Sequence, residues 1–412
     1  MNLPFEETRQ LRTATRAIHC GEGVDAETKA IRRPIVMANS FKLNDTSETL
    51  AESFAWENTH AFNYPRSRHP NARYLEERLA GLEGGEDCVV FSSGVAAVGG
   101  VFFSLLSAGD HMVSSRICYI GIHGLLVEHL GKRFGVEVSM VDSTNVEDVR
   151  AAIRPTTKLV HIETPSNPTT LVSDIAAIAA IARTVGALVT VDSTFSGIIA
   201  QQPLLLGADL VMHSLTKYIN GHGDGLGGAV IGRQDLITRI RDAASIHLGA
   251  TINPFGAWLM SRSVVTLPLR MQRHCENGLR VAQFLESHPK VKLVRYPGLE
   301  SHPQHAIARR QMDGYGGMLN FILAAEKKDY FRFLESLRVI THAVCLGHAE
   351  SLVQYYPQEG NHPELGVLNY PEDIGEGFLR LSVGLEDAKD LIADLAQALE
   401  KIPALRASPE KP

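Results

Sequence analysis

Between residue 64 and about residue 250, short apolar runs alternate with amphipathic stretches. Leu75, Leu79 and Leu82 fall at i, i+4 and i+7 on one helical face, and Gly84-Gly85 ends that helix. Cys88-Val89-Val90-Phe91 then reads as a strand and Val95 to Leu106 as a largely buried helix. Further strands are predicted over Val136 to Val141, Lys158 to Ile162, Ala187 to Val191 and Asp209 to Met212. Helical stretches lie between them, for example Ser173 to Val185 with Ser173 as N-cap. Strands alternating with helices imply an α/β fold, a mostly parallel central sheet covered on both faces.

The pattern changes at both ends. Residues 1–63 show weak periodicity and scattered polar and Pro signals, the mark of an N-terminal arm. Beyond residue 265 a helix (Glu276 to Ser287) precedes strands at Val291 to Val294, Met318 to Leu323 and Phe378 to Val383. A last helix runs from Glu386 to about Lys401, and the tail ending Pro-Glu-Lys-Pro is expected to fray. The expected division is an arm (1–63), a larger α/β domain (64–264) and a smaller C-terminal α+β domain (265–412).

Composition narrows the function classes. The 412 residues are 44% hydrophobic and 21% charged, enough for a large core and more than one domain. A net charge of -6 gives no global basic field for nucleic acid or anionic membrane. The first residues lack a secretory h-region, and no stretch reaches the roughly 20 apolar residues that span a bilayer. Five scattered cysteines without a C-x-x-C pair argue against a disulfide framework or a metal site. The expected compartment is the cytoplasm.

Candidate chemistry clusters at predicted strand ends. Lys217 follows a strand in His213-Ser214-Leu215-Thr216-Lys217-Tyr218, among hydroxyls and small residues, where desolvation favours the free amine and a Schiff base. Taken alone, a lysine is usually a solvated surface charge. Asp192 ends the run Leu188-Val189-Thr190-Val191 and needs a partner, which a protonated pyridine nitrogen would supply; a helix-capping Asp is the ordinary alternative. Phe91-Ser92-Ser93-Gly94-Val95 leads from strand to helix, either a phosphate cradle or a simple tight turn. Asn167, in Glu163-Thr164-Pro165-Ser166-Asn167-Pro168, could donate to a phenolate oxygen. Tyr64 and Arg66 could reach a phosphate, although exposed Arg is commonly surface charge. All five groups fall at or beside strand C-termini, where open α/β sheets bind ligands.

With these residues in place, the sequence resembles the Cys/Met metabolism enzymes that use pyridoxal 5'-phosphate (PLP). These are cystathionine γ-synthase, cystathionine γ-lyase, methionine γ-lyase and O-acylhomoserine sulfhydrylase. Ser214-Leu215-Thr216-Lys217-Tyr218-Ile219-Asn220-Gly221-His222 is similar to the family's lysine motif. Leu75 to Gly85 leading into Ser92-Ser93-Gly94 carries the likeness further, as do Ser301 to His305 and Leu346 to Leu352. The resemblance implies the aspartate-aminotransferase-like fold, fold type I. It implies PLP on Lys217, Asp192 on the pyridinium, and Ser93, Gly94, Val95, Ser214 and Thr216 around the phosphate. Asn167 would lie beside the phenolic oxygen. Tyr64 and Arg66 match the pair that reaches a neighbouring subunit's phosphate, so a homodimer or homotetramer with shared sites is implied. Arg380, in Phe378-Leu379-Arg380-Leu381-Ser382, matches the arginine that clamps the substrate carboxylate.

The loop around Tyr119 departs from the family, which carries a ring-stacking Tyr followed by Gly. Here it reads Cys118-Tyr119-Ile120-Gly121-Ile122-His123. Counting back from Phe134-Gly135 puts Ile120, which cannot move a proton, at the stacking place. Either a one-residue bulge brings Tyr119 onto the ring, or another group, with His123 first, takes the acid role. Asn71-Ala72-Arg73 replaces Asn-Pro-Thr, Cys345 stands where a Ser often precedes Leu-Gly, and Tyr355 to Tyr370 lacks the usual substrate loop. These changes are read as substrate-side, with Cys345 as a substrate-binding candidate.

The expected function is γ-elimination or γ-replacement on a sulfur-containing or O-activated amino acid, a carbon–sulfur lyase or a transferase. β-Elimination, or replacement by a non-sulfur nucleophile in a biosynthetic pathway, is a second reading. An inactive PLP-fold partner subunit is a third, disfavoured by the intact Lys217, Asp192 and Arg380. A dinucleotide enzyme is weaker, because Gly221 to Gly228 lacks G-x-G-x-x-G spacing.

Overall fold

A computed structural model of the chain describes residues 5–46, 49–54, 61–357 and 377–403. Twelve strands among these residues form two sheets. The larger contains β1 (Asp87–Phe91), β2 (His111–Ser115), β3 (Glu137–Val141), β4 (Thr157–Glu163), β5 (Leu188–Asp192), β6 (Leu210–Ser214) and β7 (Gly228–Gly232). Its order is β1-β7-β6-β5-β4-β2-β3, and only β7 runs antiparallel to its neighbours. The C-terminal ends of β1, β2, β4, β5 and β6 therefore share one edge of the sheet.

The smaller sheet holds β8 (Val291–Arg295), β9 (Met318–Leu323), β10 (Thr341–His342), β11 (Leu352–Pro357) and β12 (Gly377–Ser382) in the order β10-β11-β12-β9-β8. All its pairs are antiparallel except β10 with β11. Helices Leu267–Ser287, Lys327–Ser336 and Ala388–Glu400 cover it and share its core. The fold is thus α/β with a mostly parallel central sheet and a second, smaller sheet domain.

The helix Pro70–Glu83 buries Leu75, Leu79 and Leu82 completely and ends at Gly84, whose φ of +85° is left-handed. Two strands of the central sheet escape the hydrophobic pattern, as do β10 and β11 of the smaller one. β2 reads His-Met-Val-Ser-Ser and β7 is bounded by glycines, yet both are wholly buried because helices pack on both faces of the sheet. The helix expected from Ser173 begins one residue later. Asp174 is its N-cap, accepting from the Ala177 N–H at 3.2 Å, while the Ser173 hydroxyl meets Ser143 Oγ at 2.8 Å. The helix expected from Glu276 begins at Leu267, its Pro268 lying in the first turn where a missing N–H costs nothing. Within the arm, helices Phe5–Arg9 and Thr13–His19 are short, and the fully buried Arg78 side chain donates to the Ile18 and Cys20 carbonyls.

Asn71-Ala72-Arg73 is not on the substrate side. Asn71 fastens the arm, accepting from the Val36 N–H at 2.9 Å and donating to the Pro34 carbonyl at 2.8 Å. Arg73 lies in a buried ion network with Asp87 (2.6 Å), Glu77 (3.0 Å) and Glu76 (3.6 Å). Asp87 opens β1, so the network sits at the sheet edge opposite the strand C-termini. Arg241 completes it, reaching Glu76 at 2.7 Å and Asp87 at 2.9 Å. The arginine here is an anchor for strand and helix.

Candidate active site

The turn after β6 carries Lys217 to the strand C-terminal edge. Ser214 closes the strand, its N–H donating to Thr194 Oγ1 at 2.9 Å, and Thr216 Oγ1 exchanges hydrogen bonds with the Gly227 N–H and carbonyl. Lys217 is half-buried, and its Nζ donates to Cys345 Sγ at 2.9 Å. Tyr218 is buried, and its phenolic oxygen accepts from the Gly317 N–H at 2.9 Å, tying the lysine turn to the second sheet domain.

Asp192 ends β5 with 4% exposure, and its Oδ1 accepts from the Thr194 N–H at 3.0 Å. Burial pushes its carboxyl up, against the Thr194 donors and the His213 ring. No Lys or Arg among the described residues pairs with it. That vacancy of charge fits a pyridinium N–H.

The helix Gly94–Leu105 starts against Ser214, at the end of β6. Ser93 is its N-cap, with its Oγ accepting from the Ala96 N–H at 3.1 Å, so the hydroxyl proton is free to point outward. A Cβ on Gly94 would lie 2.9 Å from Ser214 Cβ and 3.0 Å from Ser214 Oγ. Glycine therefore lets helix start and lysine strand close into one cradle, with Val95 exposed on its rim. Ser93, Gly94, Val95, Ser214 and Thr216 are brought together in this way.

Tyr119 lies against the same rim. A Cβ on Gly121 would lie 2.7 Å from Tyr119 Cε1 and 3.3 Å from Val95 Cγ2, so the phenol packs across the glycine beside Val95. The backward count to Ile120 assumed an unbroken α-helix. Instead, Leu125–Gly131 is π-helical, a conformation that accommodates an extra residue and shifts the register. The ring at the cradle is that of Tyr119, corrected from Ile120. His123, one turn on in the helix Ile120–Gly124, is 8% exposed and does not share that rim position.

Arg380 comes from the second sheet. It lies on β12 opposite Gln354 of β11 and Asn320 of β9. Its guanidinium donates to Asn167 Oδ1 at 2.7 Å, Gln354 Oε1 at 2.8 Å and the Cys345 carbonyl at 3.2 Å, and lies 5.3 Å from the Tyr356 ring centre. It is 5% exposed and makes no ion pair with a carboxylate among the described residues. Asn167 thus commits its carbonyl to Arg380 and keeps Nδ2 for another acceptor. Cys345 adopts φ +90°, uncommon for a residue with a Cβ, and links lysine to arginine through its sulfur and carbonyl.

Tyr64 and Arg66 stay outside this cluster. Both are exposed, Arg66 5.4 Å from the Tyr64 ring centre and donating to the Ile246 carbonyl at 2.7 Å. Within one chain they do not join Lys217. The stretch Tyr355 to Tyr370, read as lacking the usual substrate loop, lies outside the described residues from position 358, as does the tail from position 404. A separate cavity of about 430 Å³ lies by the arm, lined by Arg33, Tyr74, Trp258 and Arg262 among others, and contains none of the Lys217 cluster.

Three neighbours received no role from the sequence. Thr194 joins Asp192 to Ser214, and Gln354 holds Arg380. Glu163 ends β4 directly opposite Asp192 and is 3% exposed. Burial and the Asp192 charge push its carboxyl well up, while the Tyr119 and Asn167 N–H groups and Arg380 oppose them. The argument that singles out Asp192, a carboxylate closing a buried strand, applies equally to Glu163.

The model of the Cys/Met metabolism PLP-dependent enzymes matches residues 14–400. The chain is 46% identical to a canavanine γ-lyase from Pseudomonas canavaninivorans, over 95% of this chain and 97% of that protein. It is 40% identical to an L-methionine γ-lyase from Treponema denticola, over 96% and 99% of the two chains. The crystal structure of cystathionine γ-lyase from Lactobacillus plantarum complexed with L-serine matches with a TM-score of 0.86 and 36% identity, over 95% of this chain and 99% of that one.

Proposed function

Since the chain belongs to the family of Cys/Met metabolism PLP-dependent enzymes, we propose that it is a γ-lyase, releasing the γ-substituent of an amino acid such as canavanine or methionine. The observation that carries this reading is Arg380, a buried guanidinium without a carboxylate partner among the described residues, within one cluster with Lys217, Asp192 and Tyr119.

PLP is the family's cofactor, and the residues fit it. When bound it draws electrons from Cα and makes the protons on Cα and Cβ acidic. Lys217 would hold its reactive carbon, Asp192 its ring nitrogen, and Ser93, Gly94, Val95, Ser214 and Thr216 its phosphate. Asn167 Nδ2 would donate to its phenolic oxygen.

The chain's own residues then divide the work. Arg380 binds the substrate carboxylate and fixes the amino acid's orientation. Lys217 Nζ, with Cys345 Sγ as acceptor for one of its protons, moves protons at Cα and Cβ. The Tyr119 phenol, exposed on the cradle's rim, protonates the departing γ-group. Cys345 and Gln354 hold the lysine and arginine in place. β-Elimination needs no second carbon acidified, and γ-replacement needs a second nucleophile to enter, so the products distinguish all three outcomes.

We further propose division into an arm (1–63), a PLP-binding domain (64–264) and a C-terminal domain (265–412). Tyr64 and Arg66 would serve the site of a neighbouring subunit in a homodimer or homotetramer. No helix among the described residues is long and apolar enough to cross a membrane, and we assign the protein to the cytoplasm.

The test incubates purified holoenzyme with canavanine, methionine, cystathionine, homocysteine and O-acylhomoserines, with and without added thiol. Release of the γ-substituent, absent in Lys217→Ala, is expected. Turnover that rises only with thiol would move the assignment to transferase. Pyruvate from cystathionine would make it a β-lyase, and no turnover of any substrate would leave an inactive partner subunit.

A further inference from the structure

Two loops at the strand C-terminal edge carry the side chains that face the substrate. One follows β2 and presents Tyr119; the other follows β4 and presents Asn167, whose Oδ1 accepts from Arg380 at 2.7 Å. Neither loop has a regular ladder to fix it at these positions. Both converge on one side chain. Glu163 Oε2 accepts from the Tyr119 N–H at 2.7 Å, and Oε1 accepts from the Asn167 N–H at 2.5 Å.

We propose that Glu163 is a positioning residue that clasps the Tyr119 and Asn167 amides, setting the phenol and the arginine-holding amide from one anchor. This rests on the reading that Tyr119 and Arg380 serve the substrate. Four features support it. The anchor is rigid, because Glu163 ends a strand paired on both sides of the sheet by β2 and β5. A second contact to the same strand end, the Glu163 N–H to Ser115 Oγ at 3.3 Å, ties it to the end of β2, from which the Tyr119 loop departs. The carboxylate spends one oxygen on each amide, so neither loop can shift without breaking its own bond. The Asn167 loop is also braced from the second sheet, where Asn320 Nδ2 donates to the Thr169 carbonyl at 2.8 Å. Asn320 lies opposite Arg380 on β12, so clasp, loop and arginine form one connected path.

A glutamate that only satisfied two loop amides would affect folding but leave each loaded site at normal KM and kcat. A positioning clasp separates these. In Glu163→Gln one oxygen is replaced by an NH₂ group that cannot accept, and in Glu163→Asp the side chain is too short to span both amides.

The experiment measures amide hydrogen exchange at Tyr119 and Asn167 in the wild-type and Glu163→Gln holoenzymes, with thermal midpoints. Per loaded site it also measures KM, kcat and the affinity for an amino acid lacking a γ-leaving group. The wild type is expected to protect both amides above their loop neighbours. In Glu163→Gln, exchange at one or both rises about tenfold, and KM rises by a similar factor, as loss of a buried hydrogen bond predicts. Glu163→Asp should recover one amide and part of the affinity. Wild-type exchange, KM and kcat per site in Glu163→Gln would overturn the proposal. So would wild-type amides no better protected than their neighbours, a reading that holds even if the variants fail to fold. The exchange needs no turnover, so a failure of the γ-lyase assignment shows in the substrate panel instead.

Discussion

Cys345 sits between the two charged groups that handle the substrate. Its sulfur accepts from Lys217 Nζ at 2.9 Å and its carbonyl from Arg380 at 3.2 Å. Cys345→Ser retains an acceptor at this place and should keep activity within a few-fold. Cys345→Ala removes it and should lower kcat about tenfold or more, the ordinary scale for a lost bond to a charged group, measured as release of the γ-substituent. Arg380→Lys should act differently. A lysine cannot reproduce the fork that bridges Asn167 and Gln354 while meeting a carboxylate, so KM should rise by roughly a hundredfold with kcat less affected. Tyr119→Phe keeps the ring against Gly121 but removes its proton, and should lower kcat by about a hundredfold with KM little changed. At this scale Lys217, Asp192 and Arg380 were legible because each stands in a distinctive run of neighbours. Tyr119 was legible only as an alternative, because a backward count treats a π-helix as an α-helix. Cys345 was legible as a departure from Ser, but its contact with Lys217 needed the turn that φ +90° makes.

β4 shows how one strand serves both stability and the site. Its last residue, Glu163, reaches the substrate loops, while His161, two residues earlier, is completely buried against the edge of Phe102, ring centres 5.1 Å apart. Burial lowers the His161 pKa from 6.5 to about 3. The folded chain therefore excludes a proton that the unfolded chain binds below pH 6.5. Above that pH the ring is neutral in both states and adds no pH dependence, and stability is lost progressively as pH falls from 6.5 toward 3. His274 and His302, each lowered to about 4 by burial, act in the same direction. His161→Phe should shallow the acid limb of unfolding without abolishing it, and raise stability at pH 7 by about 1 kcal/mol through removal of two buried, unbonded ring nitrogens, seen in denaturant titrations at both pH values. The apolar strands of the sheet were legible from their runs. β2 and β7 were not, since serines and glycines in a fully buried strand carry no alternation to detect.

Across the whole molecule, the central sheet supplies the cradle and the second sheet supplies Arg380, and these meet through Asn167, Cys345 and Tyr218. Their joining was not legible, because the register placing Gln354 opposite Arg380 links residues from strands separated by 19 positions outside the described residues. Tyr64 and Arg66 remain exposed beside Ile246, away from their own chain's lysine. If each pair serves a neighbour, one site needs Lys217 from one subunit and Arg66 from another. Lys217→Ala and Arg66→Ala homo-oligomers should then both be impaired, the first abolished and the second weakened in cofactor affinity. Mixing their unfolded chains and refolding them together creates pairs in which one site contains both defects and the other neither. Random pairing in dimers should restore about a quarter of the wild-type sites, counted by activity at limiting PLP. If Arg66 instead served its own chain, every site in the mixture would keep one defect and no activity beyond the sum of the parents would return. Recovery near one quarter would therefore establish that the active site is assembled between subunits, and that exposure of Tyr64 and Arg66 in a single chain reflects an incomplete site.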